Sequence, residues 1–254
     1  MKLQIASDLH LEFYENNINL DEIIIPSAPF LILAGDIGNP FHVNYQNFLL
    51  QCNEKFEKTF LIMGNHECYN SSIEESKIQI ENVVKNLPNI IFLYDSYYDI
   101  LNIRILGTIL WSKIHPTEEY IIKSSISDYI KIYQDKDKTK GNITPQIINC
   151  FHQKHVNWLT SEIEKGKMDN QKLIIVTHHL PYFSLIPTLY QFARNNSSFA
   201  SDLSYLFQEP IVFWICGHVH YRKTKKINDI PVYINALGYP DENTRFDKKL
   251  VIEC

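Results

Sequence analysis

The sequence has little of several features that mark particular classes of protein. Its 254 residues include only five cysteines, an odd number without the spacing of a metal site, which favours reduced thiols. No apolar run approaches the roughly 20 residues that span a bilayer. The first residues begin a strand pattern directly, without the apolar segment of a signal peptide. These absences predict a cytoplasmic protein with no membrane partner.

Strong charge of either sign is also absent. The formal net charge is -5, with 45% hydrophobic and 21% charged residues, which is ordinary for a globular protein. A broad electrostatic surface for nucleic acid is therefore not expected. Neither an internal repeat nor a linker divides the chain, so we expect a single domain over residues 1–254. The sequence does not indicate an oligomeric state.

Five short segments carry side chains that bind metals. They are Ser-Asp-Leu-His at 7–10, Gly-Asp at 35–36, Gly-Asn-His-Glu at 64–67, Thr-His-His at 177–179 and Gly-His-Val-His at 217–220. Each follows apolar residues typical of a buried strand. The pattern indicates an α/β protein in which strands of one sheet present ligands at one rim.

Strands and helices follow from the hydrophobic periodicity. Strands are predicted at residues 3–7, 30–34, 59–63, 90–94, 103–110, 173–177, 211–216, 232–235 and 250–253. Helices are predicted at 43–58, from a capping box of Ser72 with Glu75 to about residue 87, and from the N-cap Thr144 to a C-cap at Gly166. The stretches 112–143 and 181–198 are irregular and are expected to shape the substrate site. In or directly before them, the candidates either for lining a pocket or for packing are Trp111, Asp128, Tyr129, Tyr133, Tyr182 and Phe183.

Seven side chains are the candidate metal ligands: Asp8, His10, Asp36, Asn65, His178, His218 and His220. In extended chain, the pairs Asp8/His10 and His218/His220 would each point to one side. The mixture of imidazole, carboxylate and amide suits two divalent transition metal ions, with manganese favoured and iron, zinc or cobalt as alternatives. With a bridging hydroxide, such a site carries about one net positive charge and attracts a phosphate.

The predicted chemistry is hydrolysis of a phosphomonoester or phosphodiester by a metal-bridging hydroxide. His66 adjoins a ligand but would point elsewhere in extended chain, so it is the candidate catalytic residue, as general acid or as a stabiliser of the transition state. Glu67 and His179 are expected to support the ligands rather than to react. We expect structural roles for the remaining histidines, His42, His115, His152 and His155.

The motifs resemble those of the calcineurin-like metallophosphoesterase family: Asp-x-His, Gly-Asp, Gly-Asn-His-Asp/Glu, a histidine after a strand, and Gly-His-x-His. The resemblance covers most of the chain and extends more loosely to small, single-domain predicted phosphohydrolases. It implies a four-layer α/β/β/α sandwich of two mixed β-sheets flanked by helices. It also implies that Asp8, His10 and His220 hold one metal, that Asn65, His178 and His218 hold the other, that Asp36 bridges them, and that His66 is catalytic.

Alternative functions are a nuclease or a protein phosphatase of the same fold, and a non-catalytic scaffold. The basic run at 222–226 could lie near a nucleic-acid backbone, but a solvated hairpin is the favoured interpretation. A scaffold would be expected to lack ligands that this chain retains. A small phosphorylated molecule is therefore the expected partner.

Overall fold

The computed structural model describes residues 1–15 and 18–254, and over these residues the chain forms two β-sheets. The first sheet contains β1 (Lys2–Ala6), β2 (Phe30–Ala34), β3 (Lys58–Ile62), β4 (Ile90–Phe92) and β11 (Val251–Glu253). The second contains β5 (Ser96–Ile100), β6 (Ile103–Thr108), β7 (Lys172–Thr177), β8 (Ile211–Cys216), β9 (Lys223–Ile227) and β10 (Ile230–Ile234).

Both sheets are mixed. The strand order of the first is β11-β1-β2-β3-β4, with β11 antiparallel and the other pairs parallel. The second has the order β5-β6-β7-β8-β10-β9, with antiparallel pairs at both edges and parallel pairs between. The long parallel stretches are covered on both faces, as parallel sheets require.

Helices cover the outer faces of the sheets. They are α1 (Leu20–Ile23), α2 (Val43–Lys55), α3 (Ile73–Val84), α4 (Glu119–Ser125), α5 (Asp128–Lys131) and α6 (Pro145–Met168). None of the helices in the described residues is both long and apolar enough to cross a bilayer.

Strand alternation separates three apolar cores. Along β2, Ile32 and Ala34 face a central core between the sheets, whereas Leu31 and Leu33 face a core that includes α2. In the second sheet, Ile174 and Val176 enter the same central core, and neighbouring β7 residues pack with α6. The layers are thus helix, sheet, sheet and helix, which confirms the predicted α/β/β/α sandwich of two mixed sheets.

Predicted and observed elements differ at the sheet edges and in three short helices, α1, α4 and α5, that were not predicted. The strands β5 and β9 were not predicted because edge strands expose polar side chains and lack a continuous apolar run. The strand β9 pairs with β10 as an antiparallel hairpin, so the hairpin interpretation of the basic run is confirmed.

Helix ends also differ from expectation: α2 ends at Lys55 rather than at residue 58, and α3 at Val84 rather than at about residue 87. The Ser72 hydroxyl caps α3 by accepting from the Glu75 N–H at 3.2 Å, but the Glu75 carboxylate accepts from Ser71 rather than closing a capping box. The predicted C-cap at Gly166 is wrong, because α6 continues to Met168. A Cβ at Gly166 would lie 2.8 Å from the Leu173 side chain, so this glycine permits close approach of α6 to β7.

Candidate metal centre and active-site cavity

The metal-ligand motifs converge from both sheets, not from one. Asp8, Asp36 and Asn65 follow β1, β2 and β3 of the first sheet, whereas His178 and His218 follow β7 and β8 of the second. The prediction of a single sheet was therefore wrong. Parallel strands end at the same edge, and the two stacked sheets place these edges together.

A bridge between the sheets fixes this alignment. The Ser7 N–H donates to the Asn235 carbonyl at 3.0 Å, and the Leu237 N–H donates back to the Ser7 carbonyl at 3.0 Å. The Gly238 N–H then donates to the Asp8 carbonyl at 2.9 Å. The end of β1 in one sheet is thus joined to the chain leaving β10 in the other.

Asp8 and His10 were expected to point to one side because the chain between them is extended. In the structure both residues instead lie in turns. Their φ angles are 54° and 49°, in the left-handed region, and Leu9 between them is buried. Asp36 and His218 also have positive φ, at 54° and 68°. Non-glycine residues rarely adopt this region, and such strained conformations concentrate at functional sites. Four of the seven candidate ligands are held in this way.

One cluster of donors joins Asp8, His10 and His220, whose ligand atoms all lie within 4.8 Å of one another. The His220 Nε2 is 3.0 Å from the His10 Nε2 and 3.7 Å from the Asp8 Oδ1. The His220 Nδ1 lies 2.5 Å from a carboxylate oxygen of Glu242. A proton held on Nδ1 leaves the Nε2 lone pair free for a cation.

A second cluster joins Asp36, His178 and His218, again within 4.8 Å. The His178 Nε2 is 3.3 Å from the Asp36 Oδ2 and 3.0 Å from the Asn65 Oδ1. The His178 Nδ1 donates to the Ala34 carbonyl at 3.0 Å, which again directs Nε2 towards the cluster. The Asn65 amide nitrogen donates to Asp128 at 2.8 Å, so the amide oxygen points inward.

The charges in this second cluster favour a bound cation. Burial lowers the pKa of His178, but the Asp36 carboxylate outweighs it and raises that pKa to about 10. Burial would raise the pKa of Asp36, yet His178 and His66 hold it well below its usual range. A buried carboxylate that stays ionised attracts positive charge strongly.

Three motif glycines allow these groups to approach one another. A Cβ at Gly35 would lie 2.5 Å from the His178 Nδ1, and one at Gly217 would lie 2.6 Å from the Asp8 Oδ2. A Cβ at Gly64 would lie 2.2 Å from the Asp36 Oδ1. These distances are far below van der Waals contact, so any larger residue would displace a donor.

Glu67 organises the loops rather than facing the clusters. Its carboxylate is fully buried and accepts from the N–H groups of Gly64 at 2.7 Å, Asp36 at 3.0 Å, Ile37 at 2.7 Å and Gly38 at 3.4 Å. Burial and then the Asp36 charge raise the pKa of Glu67 to about 8, opposed by these hydrogen bonds. One side chain thus ties the loop after β2 to the loop after β3.

His66 lies on a short 3-10 turn at 66–68, so its direction does not come from extended chain as expected. Its backbone N–H donates to the Asp36 Oδ1 at 2.8 Å. Its Nδ1 is 3.3 Å from Glu12 and its Nε2 is 3.2 Å from the Tyr239 hydroxyl. Burial lowers the pKa of His66, but Asp36 and Glu12 outweigh it, and the net shift is upward.

Glu12, Tyr239 and Glu242 are site residues that the sequence reasoning missed. Glu12 forms a third group of potential ligands with His10 and His66. Glu12 had a detectable signal, because it extends the two-residue spacing of Asp8 and His10. Tyr239 and Glu242 follow β10 outside the five metal-ligand motifs, and only the fold brings them to His66 and His220.

The other histidines do not belong to these clusters. His179 is buried behind His218, with ring centroids 4.2 Å apart, and also lies against Trp111. His42 caps α2 by accepting from the Asn44 N–H at 3.3 Å. His152 and His155 are buried on α6, and His115 is in an exposed loop.

A cavity of about 430 Å³ opens beside the two clusters. Asp36, Asn65, His66, His218 and His220 form its inner end. Its outer walls come from residues 125–128 and 186–199, within the two stretches predicted to shape the substrate site. Of the pocket candidates named from sequence, Asp128 lines this cavity, whereas Trp111 and Tyr129 are buried in the cores. Its volume is within the usual range for small-molecule sites, about 300–1,000 Å³.

The donor set fits two transition-metal ions. Two adjacent groups offer imidazole nitrogens together with carboxylate or amide oxygens, and both partnered imidazoles already point Nε2 inward. Gly35, Gly64 and Gly217 carry no side chain, and this allows the donor groups to lie so close together.

Comparison with known proteins agrees with this chemistry. A family model described as calcineurin-like phosphoesterase matches residues 1–222. The chain is 31% identical over 271 residues to an uncharacterized protein of Acanthamoeba polyphaga mimivirus, covering 99% of this chain and 96% of that protein.

Solved structures show the same fold at low identity. A phosphopantetheinyl hydrolase from Mycobacterium tuberculosis superposes with a TM-score of 0.72 and 16% identity, covering 94% of this chain and 90% of the other. A dimetal phosphatase from Danio rerio gives a TM-score of 0.53 and 12% identity, covering 92% and 86%. On the family match, with the fold and the clustered donors in agreement, the chain belongs to the calcineurin-like phosphoesterase family and is a metallophosphoesterase.

Proposed function

We propose that this metallophosphoesterase uses two divalent metal ions to hydrolyse a phosphomonoester or phosphodiester of a small molecule. The observation that carries the proposal is the pair of donor clusters at the inner end of one open cavity. A phosphoester entering the cavity would meet both clusters and His66 together. Manganese is the first metal to test, followed by iron, zinc and cobalt.

The proposed ligands divide between the clusters. Asp8, His10 and His220 would hold one metal, and Asn65, His178 and His218 the other. Asp36, whose Oδ2 lies 3.3 Å from the His178 Nε2, would bridge the two metals, as the family resemblance implies. When bound, two such metals supply an activated water as nucleophile and neutralise the charge of the phosphate.

His66 is the proposed catalytic residue. With its Nδ1–H directed to Glu12, a protonated His66 presents Nε2–H to the cavity, beside the Tyr239 hydroxyl. Asp36 and Glu12 favour this protonated form. His66 can then donate the proton that the leaving oxygen requires, or stabilise charge on the phosphate in the transition state.

Two observations weigh against the alternative functions. Lys223 and Lys225 of the basic run direct their Nζ atoms to backbone carbonyls at 184–185, within 3.0–3.4 Å, rather than presenting a free phosphate-binding surface for a nuclease. A non-catalytic scaffold would not need His66 held between Glu12 and Tyr239. A protein phosphatase would use the same metal centre. It would differ from the proposed enzyme only in its substrate, a phosphorylated protein instead of a small molecule.

The test uses purified protein stripped of metal and reloaded separately with manganese, iron, zinc or cobalt. We expect close to two bound equivalents by mass spectrometry, and hydrolysis of para-nitrophenyl phosphate or its diester with at least one metal. Folded protein that binds two equivalents yet hydrolyses neither ester would contradict the proposal. Preference for a phosphopeptide over both esters would instead favour the protein phosphatase.

A further inference from the structure

The inner end and the outer walls of the cavity are lined by chemically different side chains. The inner end is the proposed metal centre, where positive charge would hold the phosphate. The outer walls include the apolar residues Ile126, Ile186 and Pro187 and the aromatic rings of Tyr190 and Phe199. Apart from the Asp128 carboxylate, their polar groups are neutral: Ser125 and Ser127 on one wall, and Asn195 and Asn196 on the other.

Neither lysine nor arginine lines this cavity within the part of the chain that the structure describes, and the protonated His66 lies at its inner end. Arg194 lies between two lining residues but is exposed and is not itself part of the wall. Two further carboxylates do line it. Asp128 is buried and accepts from Asn65 and Tyr69 at 2.8 and 2.9 Å, and Glu242 lies beside His220. A second anion on the substrate, placed between the outer walls, would therefore find no lysine or arginine with which to pair.

Hydrogen bonds connect the segments that form the outer walls, so the cavity has a defined shape. The His115 N–H donates to the Ser197 hydroxyl at 3.0 Å, and the Ser197 N–H donates to Glu118 at 3.0 Å. The Asn196 amide donates to the carbonyls of Tyr190 and Gln191 at 2.8 and 3.2 Å. The loop carrying Tyr190 is thereby fixed to residues 115–118, the segment that leads into α4 and the opposite wall.

The loop that carries Tyr190 also exposes apolar side chains to solvent. Leu189 and Phe192 are 84% and 88% exposed, and Arg194 of the same loop is exposed as well. Selectivity for charge is therefore expected from the lining of the cavity and not from this outer surface.

We infer that the preferred substrate is a phosphoester whose leaving group is uncharged and partly apolar, and that the outer cavity excludes leaving groups bearing a second phosphate or a carboxylate. This inference rests on the proposed function, because it concerns the substrate of the same site. The physical reason is that like charges placed together without a counter-ion repel, whereas neutral apolar groups gain from burial.

The experiment compares two esters of the same shape, para-carbamoylphenyl phosphate and para-carboxyphenyl phosphate, with the metal-loaded enzyme. Their leaving groups differ in charge at neutral pH but scarcely in size. We expect kcat/KM to favour the neutral amide by about tenfold or more. Equal turnover, or preference for the carboxylate, would overturn the inference.

A matched pair of variants removes the effect of intrinsic reactivity. Ser127→Lys places a cation on the outer wall at an exposed position, and should reduce the preference for the amide several-fold. Ser124→Lys adds the same charge on α4 at an exposed residue outside the cavity, and should leave the ratio unchanged. An unchanged ratio in Ser127→Lys would show that the leaving group does not occupy this cavity.

Failure of the inference can be told apart from failure of the proposed function. Hydrolysis of para-nitrophenyl phosphate is measured first on the same protein. Absence of that activity counts against the proposed function, whereas activity without discrimination between the paired esters counts against the neutral leaving group alone.

Discussion

The two sheets contribute different chemistry to one site. The loops after β1, β2 and β3 provide every oxygen donor among the candidate ligands, namely Asp8, Asp36 and Asn65, together with His10. The loops after β7 and β8 provide only imidazoles, those of His178, His218 and His220. Neither sheet alone assembles either proposed metal site.

The donors of the two sheets are also held differently. First-sheet carboxylates are fixed by backbone N–H groups, as when the His218 N–H donates to both Asp8 oxygens at 2.9 and 3.1 Å. Second-sheet imidazoles are fixed by acceptors on Nδ1, such as the Ala34 carbonyl on His178. Both of these contacts run between the sheets. The donors are therefore correctly oriented only when the two sheets are correctly stacked.

Replacement of the shared carboxylate should have the largest effect. Asp36→Asn removes a negative charge between the clusters, and we expect kcat/KM to fall to background with loss of at least one metal equivalent. The loss should exceed the roughly 10–100-fold typical of outer-shell changes. Activity and metal content are measured together, with the exposed Asp99→Asn as control. Unchanged turnover in Asp36→Asn would refute the dinuclear site.

Replacement of His66, which follows the first sheet, tests catalysis separately from metal binding. His66→Ala should lower kcat by about 10²–10⁴-fold, the usual contribution of a general acid or base. Both metal equivalents should stay bound, because His66 lies outside the proposed ligand set. Loss of metal from this variant would instead make His66 a ligand, as its proximity to Glu12 and His10 allows.

Single imidazole deletions in the second sheet test how the donors divide. His220→Ala and His178→Ala should each lower activity more than about a hundredfold and leave close to one metal equivalent. Combining the two should leave almost none. Equal retention of both metals in either variant would contradict the division, and His155→Ala, buried on α6, is the control outside the site.

Glu67→Gln tests the support of the first-sheet loops. An amide cannot accept from four N–H groups without turning its own NH₂ against some of them. We expect metal affinity or activity to fall about 10–100-fold. The exposed Glu54→Gln on α2 should change neither. Activity equal to that of the unmodified protein would show that the loops hold their shape without this carboxylate.

The smallest expected effect concerns close packing between the motifs. Gly64→Ala places a Cβ against Asp36 and should lower the free energy of unfolding by about 1–3 kcal/mol, as overpacking does, and weaken metal binding. In Gly141→Ala, the added Cβ would meet no atom within 4 Å. The expected cost comes only from placing alanine in a left-handed backbone conformation (φ 77°). It should cost about 1–2 kcal/mol with metal content unchanged. Calorimetry and metal analysis distinguish the two.

Most of the buried architecture was predictable because its signals are local. Apolar runs such as Phe30–Ala34 and Leu173–Thr177 exclude alternatives to buried strands, and the motif at the end of each run marks the rim. The polar edge strands β5 and β9 escaped prediction because pairing with one neighbour, not burial, makes them strands. Gly166 was misplaced as a cap because its role, approach to Leu173, is a contact between distant segments.

The chain by itself determined which donors exist, carboxylates, an amide and the His10 imidazole in its first part and only imidazoles in its second, and that each set follows strands. Only the tertiary structure decided that the two sets meet across stacked sheets, that left-handed turns aim Asp8 and His10, and that Glu12, Tyr239 and Glu242 join them. The physical reason is range: strand formation and donor chemistry depend on neighbouring residues, whereas a site only a few ångströms across depends on contacts between residues more than two hundred positions apart.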